Sequence, residues 1–412
     1  MKLICIPLLL LLLGAMPNVA ILSDPATPIA VVTLSVPAGL DRQTNRENGL
    51  AAFTAYALLE SPVAAHQPLT DAIAEAGGSI DVQIHATASV FTITALPDRL
   101  DAVLALLQTA LAHPDFSATT VDRTRAELLS RFVASQQDSV LVGVEMINGV
   151  EATSNLFAAT PLGLPATIVA LRGSSAERFF AQNYRQAGTT FALTAPFATD
   201  RDIVGLQYAL QSGKPSPMTR AMQPLMGASR ELHATRAGAP AAYVLSFPAP
   251  KLSDPSAPAA FVLAQMLRTS IVSLSELPDI PSRLLADSAI DVSYDYMHMP
   301  ARYLVRIDGT LGNASRIVGV TLGLAHALSA VNYHGDIGRF VDEARGNLAI
   351  EMRTPTSRVQ HVAQFLATGF PSNEATLLDA KIAHVNTAEL ALAARGLSTA
   401  PTIAIVGSSE NN

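Results

Sequence analysis

Nine histidines are the first residues to weigh for chemistry, at positions 66, 85, 113, 233, 298, 326, 334, 361 and 384. A zinc site built on one helix needs two of them four apart, so that both imidazoles leave the same face. No two of these histidines lie within five positions of each other. The chain therefore has no local metal-ligand pair, and isolated histidines of this kind are ordinarily surface or core residues. Nucleophilic chemistry is served no better. The only cysteine, Cys5, lies in an apolar leader, and no Gly-x-Ser-x-Gly elbow is present to raise a serine. The PLGLPA segment at 161–166 does not carry a strand into a helix, so it reads as a turn and not as a phosphate loop. One stretch poses a sharper question. GLAAFTAYALLESP at 49–62 is apolar, free of helix breakers after Gly49, and stops at Ser61-Pro62, as a buried helix would.

The elements that must position any site are set by a core-rich chain. Of 412 residues, 49% are hydrophobic and 15% charged, which excludes a disordered chain and argues for at least two domains. Tryptophan is absent, so the core rests on Ala, Leu, Val and Ile. A formal net charge of −7 and the lack of a Lys/Arg cluster argue against a nucleic-acid partner. MKLICIPLLLLLLGAMPNVA has a basic start, a short apolar run and small residues up to Ala20. It reads as a bacterial signal peptide over 1–20, cleaved near Ala20, which implies export to the periplasm. The apolar run is shorter than the roughly 20 residues of a membrane span, so no span is expected after its removal. The mature chain then has no cysteine, and neither disulfides nor thiol catalysis.

IAVVTLSVPA (29–38) is rich in β-branched residues and predicts a strand that turns at Gly39. Helices are expected over 49–60 and 69–78, the second stopped by Gly77-Gly78. SIDVQIHA (79–86) and SVFTITAL (89–96) alternate apolar and polar residues like two half-buried antiparallel strands. Helical spacing follows over 99–113 and 119–137, then a helix at 174–184 and a strand at 189–196. The second half repeats the series: a strand at 241–250, a helix at 255–271, strands at 289–298 and 302–310, helices at 316–331 and 336–352, and a closing helix and strand in HVNTAELALAARGLSTAPTIAIVGS. The repeat is a unit of about 190 residues, the size of a domain. This predicts an α+β fold of two homologous domains, 25–211 and 236–410. Residues 212–235, with weak periodicity and many Gly, Pro, Ser and basic residues, are expected to link them.

The order of these landmarks resembles the pitrilysin/insulinase-type peptidases, the M16 or inverzincin group. The resemblance runs from about residue 29 to 408 and rests on Ala38-Gly39, GLAAFTAYALL, Gly77-Gly78, the strands at 79–96, HPDF (113–116) and PSRLLADSAIDVSYDY (281–296). It implies two domains, each a mainly antiparallel sheet packed with helices. The family's zinc site is an H-x-x-E-H helix with a distant Glu. Laid over this sequence, the motif puts Ala52 and Tyr56 at the two histidines and Ala55 at the general base. The distant ligand falls near Leu129–Phe132, where there is no carboxylate; Glu127 is the nearest. The resemblance thus implies a non-catalytic member without a zinc cofactor or other metal.

Some members of that family work as pairs, in which a chain without the zinc motif helps enclose a peptide chamber. By resemblance, the partner here is a zinc-bearing homologue in a heterodimer, or a second copy of the chain, and the substrates are peptides. Such chains sometimes carry a substrate-gripping Arg/Tyr pair in the second half. Tyr294 is the tyrosine candidate, with Tyr296 as a rival and an ordinary strand aromatic as the alternative. Arg283, the nearby arginine, belongs to the SRL turn, so Arg302, with Arg306, is the candidate for the arginine. Two other readings stay open: a stand-alone peptide-binding or chaperone-like protein, and a zinc peptidase using a site that the sequence does not display.

Overall fold

The computed structural model of the chain describes residues 18–151, 160–185, 188–197, 204–206, 230–236, 240–272, 289–298, 300–308, 311–330 and 337–408. Most of the leader, residues 212–229 of the expected linker, and the SRL segment with Arg283 lie outside the described residues. In the first half, strands β1 (Val19–Ser23) and β2 (Ala30–Val36) lead to helices α1 (Leu50–Leu59) and α2 (Leu69–Glu75). The hairpin of β3 (Gly78–Ile84) and β4 (Ser89–Ala95) follows. Then come α3 (Leu100–Ala112), α4 (Ala118–Ser135), α5 (Ser139–Glu151), α6 (Pro165–Ala170), α7 (Gly173–Asn183) and β5 (Thr190–Ala195). The second half has β6 (Arg230–Arg236), β7 (Ala242–Pro248), α8 (Ala257–Val272), β8 (Ala289–Asp295) and β9 (Arg302–Asp308). It closes with α9 (Leu311–Ala330), α10 (Gly338–Glu351), α11 (Pro355–Ala367), α12 (Glu374–Ile382), α13 (Thr387–Ala393) and β10 (Thr402–Ser408).

Each half builds one five-stranded sheet, in the orders β1-β5-β2-β4-β3 and β6-β10-β7-β9-β8. The two orders are the same once the strands are matched in sequence. In both, the first strand pairs parallel to the last and every other pairing is antiparallel. The architecture is the α+β duplication expected. Two boundaries differ. Residues 230–235, expected in the linker, belong to β6, which pairs along its length with β10. Their charged, alternating sequence suits an edge strand, and it carries little apolar signal because only one side of it is covered. At the other end, β1 begins before residue 25, and Ala20 pairs with Ala192 inside it.

One face of each sheet carries its own helices. In the first domain Ala30, Val32, Leu34 and Val36 of β2 pack with α1 and α7 in one core. In the second, Tyr243, Leu245 and Phe247 of β7 pack with α8. The alternate residues point to the other face, as strand periodicity requires. That face is covered by a helix from the other half. Helix α5 sets Ile147 against Val244, Leu304 and Ala404 of the second sheet. Helix α11 sets Val359, Val362 and Ala363 against Val31, Ala192 and Ala20 of the first. Polar contacts fix the exchange: Arg358 pairs with Asp24 at 2.9 Å, and Thr190 Oγ1 donates to Ala363 O at 3.1 Å. Among the described residues no helix is long and apolar enough to cross a membrane.

Close approach of α5 to the sheet depends on Gly143, where a Cβ would lie 2.7 Å from Val244 Cγ2. Gly346 of α10 has open space at the same position, with nothing within 4 Å. The two glycines should therefore respond oppositely to substitution. In urea denaturation, Gly143→Leu should lose roughly 1–3 kcal/mol by overpacking, whereas Gly346→Ala should gain about 0.5–1 kcal/mol from helix propensity.

Candidate functional site

Helix α1 is buried at every position, including Ala52 and Ala55 at 0% exposure and Tyr56 at 5%. Its start is fixed by two glycines. Gly49, at φ 90°, and Gly163, at φ 91°, meet backbone to backbone, and a Cβ on Gly163 would lie 2.5 Å from the Gly49 Cα. The PLGLPA turn is thus the seat of this helix. Gln43 Oε1 accepts from the Ala51 amide at 3.0 Å and satisfies one of the free N–H groups of the first turn.

The residues around the expected ligand positions cannot hold zinc. Ala52 and Ala55 have no donor atom and are sealed in the core. Burial pushes the Tyr56 hydroxyl above its usual range, with Arg131 opposing, so Tyr56 is a neutral phenol and a poor ligand. In the window on α4 where the distant ligand was expected, the residue that reaches α1 is Arg131. Its guanidinium carbon lies 5.0 Å from the centre of the Tyr56 ring, and Glu127 pairs with the same guanidinium. A cation thus lies over Tyr56 in the window where the resemblance implies a carboxylate. Among the described residues there is no group of three or more His, Cys, Asp or Glu side chains arranged for a metal. Nothing in the sequence marked Arg131 as the partner of Tyr56, because that contact joins residues 75 positions apart across a helix pair.

In the second domain, Tyr294 and Arg302 are near neighbours with partners already in place. Tyr294 is 6% exposed, donates to Pro250 O at 2.6 Å, and sets its ring edge-on to Phe261 at 5.0 Å. It serves as a core aromatic, the alternative raised for it above. Arg302, 3% exposed, reaches across the exchange to α5, with Glu151 at 3.0 Å and Asn148 Oδ1 at 2.8 Å, and it also binds Asp295 at 3.1 Å. A buried guanidinium paired this fully locks α5 to β9. The rival tyrosine, Tyr296, is different: its hydroxyl is buried and has no partner among the described residues. The neighbouring Arg306 bonds Ser293 Oγ at 2.7 Å and pairs with Asp291 at 2.6 Å, while its Nε is buried and unbonded.

Comparison with known proteins places this geometry. Residues 18–156 match the family model of insulinase, peptidase family M16. No protein of curated function matches the sequence. Among solved structures, the peptidase M16 inactive domain from Pseudomonas fluorescens superposes with a TM-score of 0.79 at 14% identity, covering 96% of this chain and 97% of that one. A protease from Helicobacter pylori gives 0.77 at 13% identity, with 94% and 96% covered. A chain of complex III2 from Candida albicans gives 0.75 at 15% identity, with 94% and 93% covered.

The exchanged helix also carries a titratable group. Burial pushes the Glu145 carboxyl of α5 up from 4.5 to about 7, against the pull of Arg236. The folded chain therefore keeps this proton where the unfolded chain has lost it, and stability falls as pH rises from about 4.5 through about 7. Glu145→Gln should flatten the dependence of Tm on pH across that window and raise Tm at pH 8. The chain thus carries an M16 insulinase-family domain at residues 18–156 and, over nearly its whole length, the two-domain α+β fold of M16 peptidase-like proteins.

Proposed function

We propose that this chain is an exported, non-catalytic M16-type subunit that pairs with a zinc-bearing homologue and forms part of its peptide-binding and proteolysis chamber. The observation that carries this reading is the Tyr56–Arg131 contact together with the complete burial of Ala52 and Ala55. A metallopeptidase needs a metal to polarise a carbonyl and to lower the pKa of its bound water. Here the positions that the resemblance gives to ligands and base hold two methyl groups and a neutral phenol with a cation over its ring. The fold remains whole around them, which fits a role in shape and binding.

Two sheet edges support the peptide-binding part. Among the described residues, β3 and β8 each pair on one side only, in equivalent places in the two domains. An extended peptide can add to such an edge through main-chain hydrogen bonds. Export rests on the leader at 1–20. Because Val19–Ser23 form β1, a cut just before Val19 would keep the strand complete, while one after Ala20 would leave only Ile21–Ser23 of it.

The test is chelator-sensitive cleavage of a fluorogenic peptide, with the chain alone and mixed with an H-x-x-E-H-bearing homologue from the same source. No cleavage and no bound zinc are expected alone, and cleavage should appear or rise on mixing. Stoichiometric zinc with cleavage by the chain alone would overturn the proposal in favour of a peptidase.

Restoring the motif by Ala52→His, Ala55→Glu and Tyr56→His should not produce a normal peptidase, because Arg131 still occupies the place of the distant carboxylate. Robust chelator-sensitive turnover by that triple variant would show that the third ligand comes from elsewhere.

A further inference from the structure

Strand β1 opens the fold at residues that a leader over 1–20 would partly take with it. Its residues Val19–Ser23 pair parallel with Phe191–Ala195 of β5. The contact starts one residue earlier still, where the Phe191 amide donates to Asn18 O at 2.8 Å. Ala20, 6% exposed, packs with Val359, Val362 and Ala363 of α11. On the other face of the strand, Val19 and Ile21 pack against the first core. β1 therefore touches both layers that cover the first sheet.

A signal peptidase cuts after a small residue just beyond the apolar run. That run ends at Leu13, and the small residues between it and Ile21 are Gly14, Ala15 and Ala20. An A-x-A-like site also has a small residue two positions earlier. Those positions hold Leu12, Leu13 and Asn18, so the sequence does not choose among the three. The strand does. A cut after Ala20 removes the carbonyl that receives the Phe191 amide, the pairs Val19–Phe191 and Ala20–Ala192, and the residue seated under α11. It also places the new ammonium on Ile21, opposite Leu193 and against the apolar core, where an unpaired charge is costly. A cut after Ala15 keeps every one of these contacts, and the ammonium falls on Met16, outside the strand. Gly14 meets the same condition but lies one residue closer to the apolar run.

We infer that the exported chain is processed at the Ala15–Met16 bond. Water, activated by a signal peptidase, adds across the amide and leaves a carboxyl on Ala15 and a free amine on Met16, with β1 intact. This deepens the export reading above and rests on it. It also makes Ala20 a packing residue of the mature protein and not the end of its leader.

The test is N-terminal sequencing and intact mass of the full chain, produced with its own leader and a C-terminal tag and recovered from periplasmic, membrane and cytoplasmic fractions. The periplasmic chain should begin at Met16. Ala15→Arg should abolish that end and leave the precursor. Ala20→Val keeps an apolar, β-branched residue in the strand but removes the small residue that a peptidase needs there. It should leave the Met16 end unchanged. A periplasmic chain that begins at Ile21, and loses that end in Ala20→Val, would overturn the site while export stands. A chain that keeps its leader in the membrane fraction would overturn the site in favour of a retained anchor. A chain that keeps its leader in the cytoplasmic fraction would overturn the site and the export reading together.

Discussion

The structure depends on one reciprocal exchange. Each sheet has apolar residues on both faces, because β2 and β7 are buried along almost their whole length. A sheet with two apolar faces needs two layers of cover. Its own helices supply one layer, and the other half of the chain supplies the second. Helix α5 follows α4 in the first half and docks on the second sheet; α11 follows α10 in the second half and docks on the first. Neither domain can close its core alone. The two are therefore coupled by burial across the exchanged helices.

This exchange accounts for the location of the polar residues. A helix that crosses to another domain brings its polar side chains with it, and they must find partners in a low-dielectric seam. Arg302 does so by binding Glu151 and Asn148 of α5 together with Asp295 of β8. Arg358 does so with Asp24 just beyond β1. At the Tyr296 hydroxyl and Arg306 Nε the pairing is incomplete among the described residues.

The helix that would carry zinc chemistry lies away from this seam, under α4 and α7. With alanine at positions 52 and 55 the core surrounds this helix completely, and Arg131 lies over the ring of Tyr56. The surrounding frame is built from the Gly49–Gly163 contact and the Gln43 cap. The fold's stability comes from two apolar cores and an exchanged pair of helices.

By itself the sequence determined the duplication, the α+β class, the β2, β3, β4 and β5 strands with their second-half equivalents, and the absence of donor atoms at Ala52 and Ala55. These are local properties: periodicity, β-branching, turn residues and side-chain identity. It did not reveal β1 or β6. These are edge strands whose short or alternating sequences carry little burial signal, and they are recognisable only by their parallel pairing to β5 and β10. Residues 139–151 and 355–367 look like any amphipathic helices; which sheet they cover depends on contacts far apart in sequence. The same holds for the site. Tyr294 and Tyr296 are two residues apart and alike in type, yet one hydroxyl meets Pro250 and the other has no hydrogen-bond partner among the described residues. Only the tertiary structure decides that, because a hydrogen-bond partner 44 residues away is supplied by the fold and not by the strand.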